Sequence, residues 1–133
     1  MKKIINVVLK VLLSLVFIMP VLGIIGIFPE PTREMYNTDQ AFNFIQVVLD
    51  AKHINIMMSV VFLLSLFFVW TRRTALAMLL ILPITLNIVG FHLVLDGGLF
   101  TGGAVMGNIF FLINLYFLWQ NKDRYSSLFS KEV

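Results

Sequence analysis

Four long apolar stretches of this 133-residue chain contain no Asp, Glu, Lys or Arg. They are Val11–Phe28, Ile54–Thr71, Thr74–Leu95 and Gly97–Asn121. A helix needs ~20 predominantly apolar residues to cross the hydrocarbon core of a bilayer, and each stretch is close to that length. The composition agrees, because 59% of the residues are hydrophobic and only 13% are charged, which is more apolar than a soluble domain. The sequence therefore predicts a polytopic membrane protein.

The connections between the stretches predict how the helices are arranged. Only Thr71–Thr74 joins the second stretch to the third, and Asp96-Gly97-Gly98 makes a tight turn between the third and the fourth. Helices joined by such short connections are antiparallel neighbours. We predict an all-α fold with a single transmembrane domain over 1–133, an up-down-up-down four-helix bundle. Its spans are expected at about 5–28, 53–71, 74–96 and 103–121.

The first span shares its start with a secretory signal. Lys2 and Lys3 precede an apolar stretch, as in a signal, but this stretch is longer than a signal's apolar region. It also runs into Phe28-Pro29-Glu30-Pro31 without a small-residue cleavage site. We expect a retained helix that the two prolines terminate.

The cations predict the orientation of the spans. Most fall on one side of a four-span arrangement: Lys2, Lys3, Lys10, Arg72, Arg73, Lys122, Arg124 and Lys131. Only Arg33 and Lys52 fall on the other. Lys and Arg in short loops are held on the cytoplasmic side, so both termini are expected there. The net charge of +3 then reflects the cations that set the orientation in the membrane. Nucleic acid is not an expected partner.

The loop between the first two spans contains an amphipathic pattern over residues 39–50. Its polar stripe is Asp39, Asn43, Gln46 and Asp50, and its apolar side is Phe42, Ile45, Val48 and Leu49. Thr38 is a suitable N-cap, so the helix is predicted to begin at Asp39. After Asp50 it either runs on into His53 or kinks. This helix either lies at the outer interface and covers the mouth of the bundle, or forms a lid over a ligand cavity.

Polar side chains within the spans are the candidates for function, because such groups usually face the bundle interior or a wet cavity. They are Ser14, Asn55, Ser59, Ser65, Thr85, Asn87, His92, Asp96, Asn108 and Asn114. No carboxylate lies at mid-depth, which argues against a proton pump or an ion-coupled transporter.

The third span has the densest polar cluster. His92 and Asp96 are four residues apart, so the carboxylate is expected to hydrogen-bond the imidazole and fix its tautomer. Asn87 precedes His92 by five residues, about 140° around the helix axis, so the two point in different directions. We name Asn87, His92, Asp96, His53 and Thr85 as hypothetical ligand-binding residues. The alternative for Asn87 is a hydrogen bond that joins two helices.

Other residues are predicted to shape the helix packing. Pro83 cannot donate to the carbonyl of Leu79, so a kink is expected there. Gly103 and Gly107 form a small-xxx-small pair that favours close helix approach, within one chain or in a homodimer. No metal site is expected, because the two histidines with a nearby Asp would under-coordinate an ion. The absence of cysteine excludes disulfides and a dithiol relay.

Two segments carry a family resemblance. They are LPITLNIVGFHLVLDGG over 82–98 and NLYFLWQNKDRYSSLF over 114–129. They resemble the closing half of small bacterial DoxX-like membrane proteins, which have Pro, then Asn-Ile, then Phe-His in the third span. Here those positions are Pro83, Asn87-Ile88 and Phe91-His92, and an aromatic segment with a basic tail follows. The Pro29-Glu30-Pro31 entry and a loop helix before the second span are also similar.

The resemblance implies a multi-pass protein of the bacterial inner membrane. The family includes a subunit of a thiosulfate:quinone oxidoreductase and oxidative-stress-associated membrane complexes, and most members have no assigned activity. Many relatives carry Glu in the second and fourth spans, where this chain has Val61 or neighbouring apolar residues and Asn114. No catalytic residue is therefore carried over, and an enzyme acting alone is not expected.

Three functional hypotheses remain open. In the first, the chain is an accessory subunit that binds a quinone or another small apolar ligand in the outer half of the bundle, through Asn87 and His92 and under the 39–50 helix. In the second, it is an oxidoreductase component that works with a soluble or membrane redox partner. In the third, it is a small-molecule transporter or a structural scaffold. A filled interior at Asn87 and His92 favours a scaffold, and a lined pocket favours ligand binding.

Overall fold

The protein is all-helical in the computed structural model, which describes residues 1–131. The α-helices of this part of the chain are α1 (Lys2–Ile24), α2 (Asp39–Asp50), α3 (Lys52–Trp70), α4 (Thr74–Val94), α5 (Ala104–Gln120) and α6 (Lys122–Tyr125). Short 3-10 turns cover Arg33–Met35 and Ser126–Phe129. The long helices begin and end within a few residues of the predicted spans, except that α1 already ends at Ile24.

Three of the helices, α1, α3 and α4, are long and apolar enough to cross a membrane, whereas α5 is apolar but has only 17 residues. Large apolar side chains point away from the protein interior along all four: Ile5, Val8, Leu15, Leu63, Phe67, Leu86, Leu93, Ile109 and Leu112. Leu15 is 60% exposed and Leu112 is 62% exposed. An apolar exterior of this extent is unfavourable in water and is the surface expected in lipid. The helices therefore indicate a membrane protein.

The long helices pack in sequence order around a shared core. α1 packs against α3, α3 against α4 and α4 against α5, and α5 also contacts α1. Phe17, Phe62 and Phe110 meet in the centre, with ring centroids 5.5–6.2 Å apart. Each ring comes from a different helix, so this aromatic cluster holds α1, α3 and α5 together.

The helix α2 begins where the sequence predicts, and it ends in a break. The Thr38 hydroxyl accepts a hydrogen bond from the Ala41 N–H at 3.0 Å, which confirms the N-cap. At Ala51 the backbone leaves helical geometry, with ψ of 71°. The Asn55 side chain then donates to the carbonyls of Val48 and Leu49, at 3.3 and 3.4 Å. The chain therefore turns between α2 and α3 and does not continue as one helix.

The expected close approach of α5 to its neighbours is visible at Gly107. A Cβ atom at this position would lie 2.7 Å from Ile88 Cγ2 on α4. At Gly103 it would meet Asp96 Oδ2 at 3.5 Å. Both glycines therefore face α4 of the same chain. The proline predicted to bend α4, Pro83, lies inside an uninterrupted helix.

A buried amide links α4 to α5 in the interior. Asn114 is fully buried, donates to the Met78 carbonyl at 3.0 Å and accepts from the Thr85 hydroxyl at 3.0 Å. The Thr85 hydroxyl also lies 3.0 Å from the Leu82 carbonyl. The polar groups of this pair are thus satisfied by one another and by the backbone.

We expect Asn114→Leu to lower the free energy of unfolding by about 1 kcal/mol, the usual size of an interhelical hydrogen bond in a membrane protein. Thr85→Val is the matched variant and is expected to have the smaller effect, because Asn114 keeps its bond to the Met78 carbonyl. Unfolding by SDS in mixed micelles measures both. An unchanged midpoint for Asn114→Leu would contradict a stabilising role for this amide.

Candidate functional site

The structure places His92 and Asp96 together at the end of α4. Nδ1 of His92 lies 3.0 Å from Oδ2 of Asp96, which confirms the predicted contact. The imidazole packs against α5, where a Cβ on Gly107 would be 3.5 Å from His92 Cδ2. Gly107 of α5 and Gly103, the N-cap of this helix, thus leave room for the imidazole ring.

Asp96 also anchors the outer loop. It is 1% exposed, and its Oδ1 accepts from the backbone N–H of Asn37 at 2.8 Å. The Asn37 side chain donates to the Asp96 carbonyl at 3.0 Å, and the Thr38 hydroxyl donates to the Leu95 carbonyl. These contacts tie the residues that precede α2 to the end of α4. We call Asn37, Thr38, His92 and Asp96 the outer latch.

The five residues proposed as ligand-binding do not form one site. Asn87 is exposed on α4, and among residues 1–131 its side chain joins no other helix. His53 is exposed at the start of α3, and Thr85 is buried in its pair with Asn114. Because Asn87 and His92 are five residues apart, a helix that turns His92 inward directs Asn87 outward. Their role in ligand binding stays a prediction.

A cavity of about 830 Å³ lies between α1, α2 and α3. Its walls include Gly23, Gly26 and Phe28 near the end of α1, the Pro29-Glu30-Pro31 segment, and Ile45, Gln46, Leu49 and Asp50 of α2, with Tyr36, Lys52, Asn55, Ile56 and Met58. Ligand pockets are usually about 300–1,000 Å³, so this one is large enough for a small organic molecule. The helix α2 covers one side of it, as the lid hypothesis requires.

Three uncharged polar side chains line this cavity, which we call the α2 cavity. The Gln46 amide nitrogen lies 3.4 Å from the Pro31 carbonyl, and that of Asn55 donates to the end of α2. Both side chains use their N–H groups in these bonds, and among residues 1–131 no donor reaches either amide oxygen. The Tyr36 hydroxyl likewise has no protein partner in this part of the chain. The cavity thus offers two amide acceptors and one hydroxyl beside apolar side chains, and the charged residues Glu30, Asp50 and Lys52 also line it.

Tyr36 remains a hydrogen-bond donor over the physiological pH range. Burial raises the pKa of its phenol above the usual 10, and the negative charge of Asp96 raises it further. Both effects disfavour the phenolate. The ring contacts Phe42 of α2 and Phe91 of α4, with centroids 6.0 and 6.4 Å away. Tyr36 therefore connects the outer latch with the α2 cavity.

The sequence contained partial signals for this cavity. Gly23 and Gly26 near the end of α1 lack the side chains that would fill it, and nothing lies within 4 Å of a Cβ built on either. Gln46 and Asn55 are visible as polar residues of the loop helix and the second span, but no periodicity indicates that they face each other. Tyr36 lies in the irregular segment before α2 and had no local signal.

Metal binding has no geometric support in residues 1–131, where no three His, Cys, Asp or Glu side chains come together. Comparison of the chain with protein-family models, with curated proteins and with solved structures finds no match.

Proposed function

We propose that this chain is a non-catalytic accessory subunit that binds a small apolar molecule with a polar head in the α2 cavity. The observation that carries the proposal is the combination of apolar walls with the free polar atoms of Tyr36, Gln46 and Asn55. A quinone is a candidate occupant, because its carbonyl accepts from a phenol and its reduced form donates to amide oxygens. The binding residues differ from those that the sequence suggested.

The proposed setting is a four-helix bundle in the bacterial inner membrane, with both termini in the cytoplasm. It is supported by the three membrane-length helices and by the apolar exterior of α5. The basic residues at the start of α1, between α3 and α4 and after α5 support the orientation, by the preference of Lys and Arg for the cytoplasmic side. The α2 cavity then opens near the outer leaflet.

A membrane redox system is the proposed context. It rests on the resemblance of residues 82–98 and 114–129 to DoxX-like proteins, whose family includes a quinone-linked oxidoreductase subunit. The partner in this proposal is a separate soluble or membrane oxidoreductase. The chain itself contributes binding and orientation.

We expect Leu49→Trp to abolish ligand binding, because Leu49 lines the α2 cavity and an indole would occupy the space. Val47→Trp is the matched control, since Val47 lies on the same helix, is 67% exposed and does not line the cavity. The purified proteins are compared by native mass spectrometry and by solvent extraction of bound quinones and lipids. A short-chain ubiquinone is added as the probe.

The expected result is a small molecule on the wild type and on Val47→Trp that falls at least tenfold on Leu49→Trp. Asn87→Leu is expected to bind like the wild type, because Asn87 lies outside the cavity. Loss of binding in Asn87→Leu with retention in Leu49→Trp would move the site to α4. If the wild type neither retains a molecule nor binds the probe, the ligand-binding proposal is wrong.

A structural scaffold is the second candidate. Asn114 and Thr85 are buried and their polar atoms have protein partners, and Nδ1 of His92 contacts Asp96. A protein that only stabilises a complex needs no more than this. The scaffold hypothesis predicts equal stability and no bound molecule for the wild type, Val47→Trp and Leu49→Trp.

A further inference from the structure

A second cleft lies at the opposite end of the helices from the outer latch. Its volume is about 230 Å³, and its lining includes the cations Lys10, Arg72 and Arg124. The amides Asn6, Gln120 and Asn121 also line it. These residues belong to the first half of α1, the α3–α4 turn, and the end of α5 with the following α6, so three separate parts of the chain meet there. We call this the basic cleft.

Tertiary contacts hold these segments in place. Asn6 and Gln120 exchange reciprocal amide hydrogen bonds of 3.1 Å, which join α1 to α5. The Tyr125 hydroxyl donates to the Ala75 carbonyl at 2.8 Å, which fixes α6 against the start of α4. Arg124 precedes Tyr125 and is thereby brought to the cleft. The basic cleft is thus built by long-range contacts.

The three cations have no carboxylate partner in residues 1–131. In this part of the chain the Arg33–Asp39 ion pair and the His92–Asp96 contact both lie at the other end. Lys10 Nζ has only the Val69 carbonyl, at 3.4 Å. Three like charges around one cleft repel one another and attract an anion. The volume is several times the ~30 Å³ of a liquid water molecule, so the cleft has room for a polyatomic anion.

Arg72 occupies a backbone position that normally favours glycine. Its φ is +63°, and the following N–H, of Arg73, donates to the Phe68 carbonyl at 2.8 Å. This is the residue after the C-cap of α3, in the left-handed conformation that closes many helices. A side chain with a Cβ is disfavoured there. The turn therefore does not account for an arginine at this position.

The start of α4 adds a further anion-binding feature. No side chain caps this helix, and its first residue, Thr74, lines the basic cleft. A helix N-terminus carries a partial positive charge and free N–H groups that suit phosphate. Combined with three unpaired cations, it surrounds one small volume with donors.

We propose that the basic cleft binds a phosphate group. A guanidinium offers paired N–H donors that match phosphate oxygens. Two arginines with one lysine therefore supply directional hydrogen bonds as well as positive charge. The phosphate comes either from a phospholipid headgroup, because this end of the helices lies where membrane headgroups would be, or from a soluble phosphorylated molecule. This site is separate from the α2 cavity and does not depend on the function proposed for it.

The test compares Arg72→Gly with Arg73→Ala in the full chain, purified in a neutral detergent. Arg72→Gly removes a cleft cation and relieves the backbone, so its thermal unfolding temperature is expected to equal or exceed that of the wild type. Arg73→Ala removes the same charge from the same turn, but Arg73 does not line the cleft. Arg124→Gln removes a second cleft cation without changing the turn.

The lipid arm uses native mass spectrometry with phosphatidylglycerol and phosphatidylcholine as probes. We expect phosphatidylglycerol adducts on the wild type and on Arg73→Ala, and at least a tenfold loss on Arg72→Gly and Arg124→Gln. The soluble arm measures the unfolding temperature in inorganic phosphate against chloride of equal ionic strength. Adducts without a phosphate-induced shift assign the site to a lipid headgroup, and a shift without adducts assigns it to a soluble phosphate.

Two results would overturn the proposal. If Arg73→Ala loses as much binding as Arg72→Gly, the interaction is the general attraction of a basic surface and no defined site exists. If neither probe binds the folded wild type, the basic cleft is not a phosphate site.

Discussion

Asp96→Ala is expected to lower the free energy of unfolding by roughly 2–5 kcal/mol. The buried carboxylate accepts from the Asn37 N–H and contacts Nδ1 of His92. Its removal leaves two part-buried polar groups without this partner, each at a cost of up to about 1–3 kcal/mol. The same change removes one of the three hydrogen bonds that tie the residues before α2 to the end of α4. Amides around Thr38 and Ala41 are therefore expected to exchange with solvent faster than amides in α3.

Unfolding by SDS and hydrogen exchange in detergent measure these two effects. Asp96→Asn is the conservative variant, because its amide oxygen can still accept from Asn37, and we expect less than half the loss. Asp39→Ala is the matched control: it removes a carboxylate from the start of α2, next to the outer latch, but that group is solvent-exposed and its pair with Arg33 adds little. Equal losses for Asp96→Ala and Asp39→Ala would show that the outer latch does not stabilise the fold.

Gly107→Val is expected to destabilise the protein by about 2–3 kcal/mol through overpacking. A Cβ at this position would lie 2.7 Å from Ile88 Cγ2. Ile88 is β-branched and stiff in a helix, so its methyl group cannot move aside easily. The α4–α5 contact must then open, and His92, which packs at the same place, loses part of its support.

A compensating substitution provides the sharpest check. Ile88→Ala removes as many carbon atoms as Gly107→Val adds, so the double variant is expected to recover at least half of the lost stability. Gly90→Val is the control on α4, because a Cβ there has nothing within 4 Å. SDS unfolding of the wild type, Gly107→Val, Ile88→Ala and the double variant completes the double-mutant cycle. A double variant that is as unstable as Gly107→Val would mean that Ile88 is not the residue that excludes a side chain.

Local features of the fold could be read from the sequence because they depend on neighbours along the chain. Thr38 caps α2 through a residue three positions later. His92 and Asp96 meet because a helix brings residues four apart together. The short connection between α3 and α4 places these two helices side by side. The apolar stretches indicate membrane helices for the same local reason.

The tertiary structure decided which polar residues face one another. The helices α4 and α5 are apolar on almost every side, so their periodicity does not indicate which face turns inward. Packing at Gly107 and the Asn114–Thr85 pair set the rotation of α4, which turns His92 toward α5 and leaves Asn87 exposed. This is why the predicted ligand-binding residues are dispersed in the structure.

Both clefts are also products of long-range packing. The α2 cavity exists because α2 folds over the glycine-containing end of α1, and the basic cleft exists because α6 returns to the start of α4. The sequence alone determined the helices, their caps and the charge of each end, since these follow from local hydrogen bonding and from the transfer of apolar residues into lipid. Only the tertiary structure decided the cavities and their lining, because contacts between residues distant in sequence set how each helix is rotated and where gaps remain.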